Sequence, residues 1–210
     1  MTEEEKPRPL QERINVTMNY ADRQLARFIR AIQNEEWYKN TYVIIMADHG
    51  FPLGENGDST MNGGGFSNIS WIPFFIHGKG LDATRDTTTA AQIDIAPTVL
   101  ELAGYAVPNI FMGHNLLRDT ETILNADSTS VKKEHAGLSL GAYSGYSALG
   151  LDKYRVVSKT ASNDEIYLFN DSDMRQEHDL AKTEAERTAK MHATLDTLIK
   201  ISDYSLEHGL

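Results

Sequence analysis

The chain has 210 residues, 40% of them hydrophobic, enough to bury a substantial core as one domain or as a large and a small one. Its formal net charge of −10 and pI near 5.1 argue against a nucleic-acid partner, because no basic stripe offsets the acids. The absence of cysteine excludes disulfides, thiolate metal sites and cysteine nucleophiles, and no apolar run approaches the roughly 20 residues of a membrane helix.

Residues 1–13 (MTEEEKPRPLQER) are charged, carry two prolines and lack the pattern of a signal peptide, so residues 1–14 read as a flexible lead-in. From Asn15 the texture changes. Val16, Tyr20, Ala21, Leu25, Phe28, Ile29 and Ile32 recur three or four apart with Asp22, Arg23, Arg27 and Arg30 between them, which predicts an amphipathic helix to about Asn34. After a short link, the unbroken apolar run Tyr42 to Ala47 closes on Asp48-His49-Gly50 and reads as a strand buried on both faces. Phe51 to Ser70, with Gly63-Gly64-Gly65, predicts a long loop leaving from that strand's end, and such loops are functional or disordered.

Trp71 to Ile76 reads as a second buried strand, closed by His77-Gly78-Lys79-Gly80. Asp94 is placed to cap a helix through Ile95, Val99, Leu100, Leu102 and Ala103, with Pro97 tolerated in its first turn and Gly104 as its stop. Tyr105 to Lys133, broken by Pro108 and Gly113, reads as irregular. Ala142 to Leu149, Lys153 to Lys159 and Glu165 to Phe169, with a polar turn over Thr160 to Asp164, predict a small antiparallel sheet. Lys182 to Leu206 closes the chain as a helix with Met191, Leu195, Leu198 and Ile199 on its apolar face.

Chemistry concentrates at Asp48 and His49. Open α/β sheets place ligands at the C-terminal ends of their strands. A hard carboxylate oxygen beside a borderline imidazole nitrogen suits a divalent transition metal: Mn, Zn or Fe, with Ca less natural next to nitrogen. The plain alternative is that Asp48 caps a turn and His49 packs on the loop.

Five segments in order resemble the alkaline phosphatase/sulfatase superfamily: Tyr20 to Ile29, Trp37 to Gly50, Ile72-Pro-Phe-Phe-Ile76, Gln92-Ile-Asp-Ile-Ala-Pro-Thr-Val-Leu100 and Phe111-Met-Gly-His-Asn-Leu-Leu117. A sixth, Glu165 to Asn170 continuing through Glu177 to Ala181, is similar to the hairpin and "DPxExxNL" turn that end sulfatases. The nearest likeness is to the branch of lipoteichoic acid synthases and phosphoglycerol transferases. The resemblance implies an α/β fold: the C-terminal part of a three-layer α/β/α sheet domain, with a small antiparallel sheet and a C-terminal helix. It divides the chain into the lead-in 1–14, a partial core over 15–133, and a sheet-and-helix subdomain over 134–210.

The resemblance further implies transfer at a phosphate or sulfate ester through a covalent Thr or Ser intermediate, with Asp48 and His49 as metal ligands. Manganese is the first expectation for the ion, with zinc or calcium as alternatives. The substrate expected is a lipid- or glycan-linked phosphodiester or a sulfate ester, and the parent protein is expected to be membrane-anchored with its catalytic domain periplasmic or extracellular. The family's nucleophile lies well upstream of this Asp-His pair, yet only 47 residues precede Asp48. Thr17, Thr41 and Thr60 are nucleophiles by type but not by context, so the chain is expected to be a C-terminal portion that lacks its nucleophile and is inactive alone. The loop reads Met61-Asn-Gly-Gly-Gly65 where sulfatases carry a lysine, which favours phosphoglycerol or phosphoethanolamine transfer. The alternatives are a sulfatase or phosphodiesterase fragment, or a non-catalytic binding module. Glu55, six residues past His49, could approach the ion but reads first as a solvated loop acid; His77, His114, Asp94 and the Trp37-Tyr38 pair read first as structural, and His178, His192 and His208 as surface residues.

Overall fold

Helix α1 spans Leu10–Ile32 in the computed structural model of the chain, which describes residues 9–51, 53, 67–87, 89–105, 111–117, 122–124, 130–132, 136–140, 145–159 and 165–208. The expectations placed on residues 1–8, Glu55, Thr60, the run 63–65, Pro108 and the turn 160–164 lie outside the described residues. Two units are distinguished: Met1–Asp48 with Pro73–Thr84, and His49–Ile72 with Arg85–Leu210.

In the first unit α1 starts five residues earlier than the apolar period alone predicts. Pro9 sets the entry, since its carbonyl accepts the Arg13 N–H at 3.1 Å and a proline before the first turn forfeits no helical bond. Of its residues only Ile32 is buried, and the stripe through Val16, Tyr20 and Phe28 is more than half exposed. A 3-10 turn over Glu36–Asn40 leads to β1, Val43–Met46, which pairs antiparallel with β2, Phe74–His77, so that Val43 faces His77 and Met46 faces Phe74. Neither strand is buried on both faces as its composition predicts: Met46 and Phe75 are exposed. The reason is topological. These two strands form a two-stranded sheet among the described residues, so each keeps an open edge.

The second unit holds the larger core. A short helix α2, Ser67–Ser70, precedes a 3-10 turn at Gln92–Asp94 that runs into α3, Ile95–Leu102. Gly104 ends α3 as its position predicts, with φ at 76°. Its N–H donates to the Glu101 carbonyl at 2.9 Å and the Tyr105 N–H to the Leu100 carbonyl at 2.8 Å, the paired closure that a left-handed residue allows. Inside the stretch expected to be irregular, β3 (Thr122–Leu124) and β4 (Ser130–Lys132) pair antiparallel.

Four strands then form one antiparallel sheet in chain order: β5 Gly137–Leu140, β6 Tyr146–Leu151, β7 Tyr154–Lys159 and β8 Ile166–Asn170. The register aligns Leu149, Val156 and Leu168 on one face. Helix α4, Ala185–His208, lays Met191 and Leu195 against them, and Leu195 has no exposed surface at all. The opposite face carries Ala148, Val157 and Phe169, bordered by Tyr146 and Tyr167. There Gly137 and Gly150 face each other across strands, and a Cβ on either would come within 2.8 or 3.2 Å of the Thr89 methyl. The missing side chains leave room for the chain to cross the sheet.

The turn after β8 is held by carboxylates. Asp173 accepts the Glu177 N–H at 3.2 Å and the His178 N–H at 2.8 Å, while Gln176 takes a left-handed φ of 53°. Asp179 accepts the N–H groups of Leu168 at 3.0 Å and Ala181 at 2.9 Å, which fastens the turn to β8.

At the other end of the same hairpin, Glu165 accepts from the Lys159 ammonium at 2.8 Å and from the Tyr146 hydroxyl. The Lys159 contact first, then the Tyr146 hydroxyl, hold its carboxyl below the usual glutamate range. A depressed carboxylate contributes stability above its unfolded pKa, about 4.3, and loses it as pH falls through the lower folded value. The thermal unfolding midpoint of Glu165→Gln, followed by circular dichroism, is therefore expected to lie below that of the native chain at pH 7. That gap should narrow as pH is lowered from about 5 toward 3.

Candidate functional site

Asp48 follows β1 at the end of the first unit and is exposed. His49 opens the second unit and is also exposed, with its Nδ1 2.7 Å from the Gly50 carbonyl oxygen. A carbonyl can only accept, so this contact is a hydrogen bond in the tautomer that carries the proton on Nδ1, the one that leaves the acceptor lone pair on Nε2. The Gly50 N–H donates to the Ile69 carbonyl at 2.6 Å, and Ile69 is buried. The next residue, Ser70, accepts from the Arg155 guanidinium of β7 at 2.7 Å. Burial pulls the Arg155 pKa down to about 10, against a partly restoring attraction from Asp171. The group therefore stays charged at neutral pH.

An imidazole whose Nδ1 proton is held by a backbone carbonyl is the form in which histidine binds metals through Nε2, and a carboxylate oxygen is a compatible neighbour. The donor types at Asp48 and His49 thus fit a divalent ion. They supply two donors, and no group of three or more His, Asp or Glu residues able to hold an ion occurs among the described residues.

The other described histidines sit elsewhere. His77 ends β2 with its ring stacked on Tyr38 at 5.9 Å, and His178 and His208 are exposed beside their own turn and helix. His192 departs from its expected surface position: its side chain is only 13% exposed, because α4 turns it onto β7, where Nε2 lies 3.0 Å from the Ser158 hydroxyl. Asp196 approaches that same Nε2 at 3.8 Å. Serine, histidine and aspartate are all present, but a catalytic triad needs the acid on the far nitrogen and an accessible hydroxyl, and Ser158 is buried. The threonines expected to lack a nucleophile's context bond back to local carbonyls, Thr17 to Arg13 at 3.0 Å and Thr41 to Trp37 at 2.9 Å.

Asp94 corrects another expectation. Its side chain does not cap α3. One carboxylate oxygen accepts the Ala91 N–H and the other the His114 N–H, each at 2.7 Å, and the residue is 1% exposed. One turn on, the Thr98 hydroxyl donates to the Asp94 carbonyl at 2.6 Å and accepts the Leu116 N–H at 3.0 Å. Gly113 lies so close beneath this turn that a Cβ would stand 2.0 Å from the Ile93 carbonyl oxygen. The segments Gln92 to Leu100 and Phe111 to Leu117 are thereby clamped together, and His114 is a flank of that clamp, its Nδ1 3.7 Å from Asp94.

Short antiparallel strands, helices and a four-stranded sheet backed by a C-terminal helix make this a protein of mixed α/β class. A sulfatase family model matches residues 2–105. The uncharacterized sulfatase YidJ of Escherichia coli is 28% identical over 189 residues, which cover 88% of this chain and 37% of that protein. The lipoteichoic acid synthase of Staphylococcus saprophyticus is 28% identical over 124 residues, 53% of this chain and 19% of that protein. Among solved structures, a 2-O GAG sulfatase superposes with a TM-score of 0.65 at 21% identity, covering 90% of this chain and 42% of that one. The chain belongs to the alkaline phosphatase/sulfatase superfamily and has its fold. It spans well under half the length of these relatives.

Two substitutions test the clamp. Asp94→Ala strands two buried backbone N–H groups and is expected to lower the unfolding free energy by about 2–4 kcal/mol. Gly113→Ala forces a methyl group into the Ile93 carbonyl and is expected to cost about 1–3 kcal/mol. Urea unfolding measures both, and a change under about 0.5 kcal/mol in each would show that the clamp does not hold the fold.

Proposed function

We propose that the chain forms part of a metal-dependent enzyme acting on a phosphate or sulfate ester, with Asp48 and His49 among the donors to the ion. The observation that carries this reading is the His49 ring, fixed by the Gly50 carbonyl with its acceptor nitrogen at Nε2, within a sulfatase-family segment. When bound, the ion neutralises charge that develops on the oxygens of the transferred group. Asp48 offers a carboxylate oxygen, and the Gly50 carbonyl keeps the His49 proton on the nitrogen away from the ion. The edge belongs to a partial core over 15–133, with 134–210 as an appended subdomain. The remaining donors and the attacking Thr or Ser hydroxyl are not among the residues assigned to the site, and the chain matches 37% of the length of YidJ.

Phosphoglycerol or phosphoethanolamine transfer is the first reading of the chemistry. It is supported by the lysine-free run Met61 to Gly65 and by a lipoteichoic acid synthase among the relatives. The donor would be a lipid- or glycan-linked phosphodiester, and the ion manganese before zinc or calcium. Sulfate-ester hydrolysis is the second, supported by the YidJ match, which extends over 88% of the chain. No helix among the described residues is long and apolar enough to cross a membrane. Membrane attachment and an outward-facing catalytic domain are proposed for the parent protein.

Titration of the chain with Mn²⁺ by calorimetry is expected to show weak binding that either Asp48→Ala or His49→Ala abolishes. Equal binding in native and variant chains would reject both residues as ligands. In the protein encoded by the longest reading frame containing this chain, release of diacylglycerol from a glycerophosphodiester lipid supports the first reading. Release of sulfate from a sulfated disaccharide supports the second.

A further inference from the structure

We propose that Arg155 is a positioning residue for His49, acting through Ser70 and the Gly50–Ile69 hydrogen bond without touching ion or substrate. The inference deepens the proposed metal site and rests on His49 being its ligand. All the residues involved lie within the second unit.

The chain of contacts is short. Arg155 belongs to β7, which has β6 on one side and β8 on the other, and it stands between Gly150 and Phe169 in the register. Its side chain therefore leaves the face opposite α4, and its neighbour on β6 has no side chain to block it. The guanidinium reaches the Ser70 hydroxyl at 2.7 Å. Ser70 ends α2, a helix of four residues, too short to be stable on its own hydrogen bonds. The buried Ile69 side chain and the Ser70–Arg155 bond anchor it to the rest of the unit. From that position the Ile69 carbonyl takes the Gly50 N–H at 2.6 Å.

Gly50 makes the coupling matter. A glycine has no Cβ to restrict its own φ and ψ, so the bond to Ile69 orients the residue. Its carbonyl, 2.7 Å from His49 Nδ1, decides which ring nitrogen keeps the proton. If α2 shifts, Gly50 loses its restraint and the imidazole loses its fixed tautomer. Lysine would not replace the arginine, because a guanidinium presents a rigid planar fork and an ammonium only a point charge on a flexible stem.

The test uses the full chain with ¹⁵N-labelled histidine, at a pH where the His49 ring is neutral, with the signal assigned through His49→Gln. Long-range ¹H–¹⁵N correlation is expected to show the Nδ1–H form in the native chain and a mixture of tautomers in Ser70→Ala and Arg155→Met. Broadening of the His49 signals by Mn²⁺ should require roughly tenfold more metal or greater in both variants. Arg155→Lys is expected to resemble Arg155→Met. Should Arg155→Met fail to fold, Ser70→Ala, which removes one hydroxyl, decides alone. A native tautomer and native Mn²⁺ response in a folded Ser70→Ala would overturn the proposal. A shifted tautomer in the variants with no Mn²⁺ effect on native His49 would uphold the positioning role and overturn the metal reading instead.

Discussion

The second unit depends on a sheet whose two faces are occupied by different kinds of structure. On one face Leu149, Val156 and Leu168 are sealed by Met191 and Leu195 of α4, which removes a continuous apolar surface from water. That burial frees the other face to serve as a platform. Its glycines at 137 and 150 admit Thr89, and Arg155 reaches Ser70 from it. A sheet covered by helices on both sides could not offer such a platform. The sheet thus does more than bury its own apolar side chains: the face turned away from α4 holds Ser70, next to the residue that accepts the Gly50 N–H.

Most of the segments that resemble the superfamily turn out to carry architecture. Gln92 to Leu100 and Phe111 to Leu117 are one clamp, built from a buried carboxylate, a threonine hydroxyl and a glycine without room for a methyl group. The acidic turn after β8 is a second device of the same kind, in which Asp173 and Asp179 accept backbone N–H groups that the turn would otherwise leave unsatisfied. In both, carboxylates are consumed by main-chain donors and are not available to an ion. This separates Asp94 chemically from Asp48. The former is enclosed and doubly bonded to backbone, and the latter stands exposed at a strand end.

Much of the fold was legible where local rules act alone. Gly104 stops α3, the strands from Tyr146 to Asn170 and α4 follow their apolar periods, and α1 differs only by its first turn. Two features were not legible because they depend on partners distant in sequence. The pairing of β5 was hidden because Gly137-Leu138-Ser139-Leu140 is too short a run for its alternation to stand out, and the burial expected of β1 assumed neighbours that a two-stranded sheet does not supply. Asp94 was misread for a related reason. An acid before a helix looks like a cap in sequence, and only the fold shows that its second acceptor serves His114, 20 residues away. Asp48 and His49 were singled out from type and position, whereas nothing near them in sequence pointed to the Ser70–Arg155 bond, which joins residues 85 apart.

The exposure of the acid–imidazole pair bears on how such an edge could bind anything. If Asp48 and His49 are ligands as proposed, two exposed donors would hold an ion only where little freedom is lost on binding, so pre-organisation would matter more than in a closed cage of four ligands. A carboxylate has two equivalent oxygens and needs little orientation. An imidazole has two unlike nitrogens, and a proton on the wrong one removes the ligand altogether. The residue to restrain is therefore His49. The order of restraint runs from the Gly50 carbonyl to Ile69, then to Ser70, then to a strand in the middle of the most deeply packed sheet in the unit. On the proposed role of Arg155, rigidity generated by apolar burial about 100 residues downstream would reach a single ring nitrogen through three hydrogen bonds.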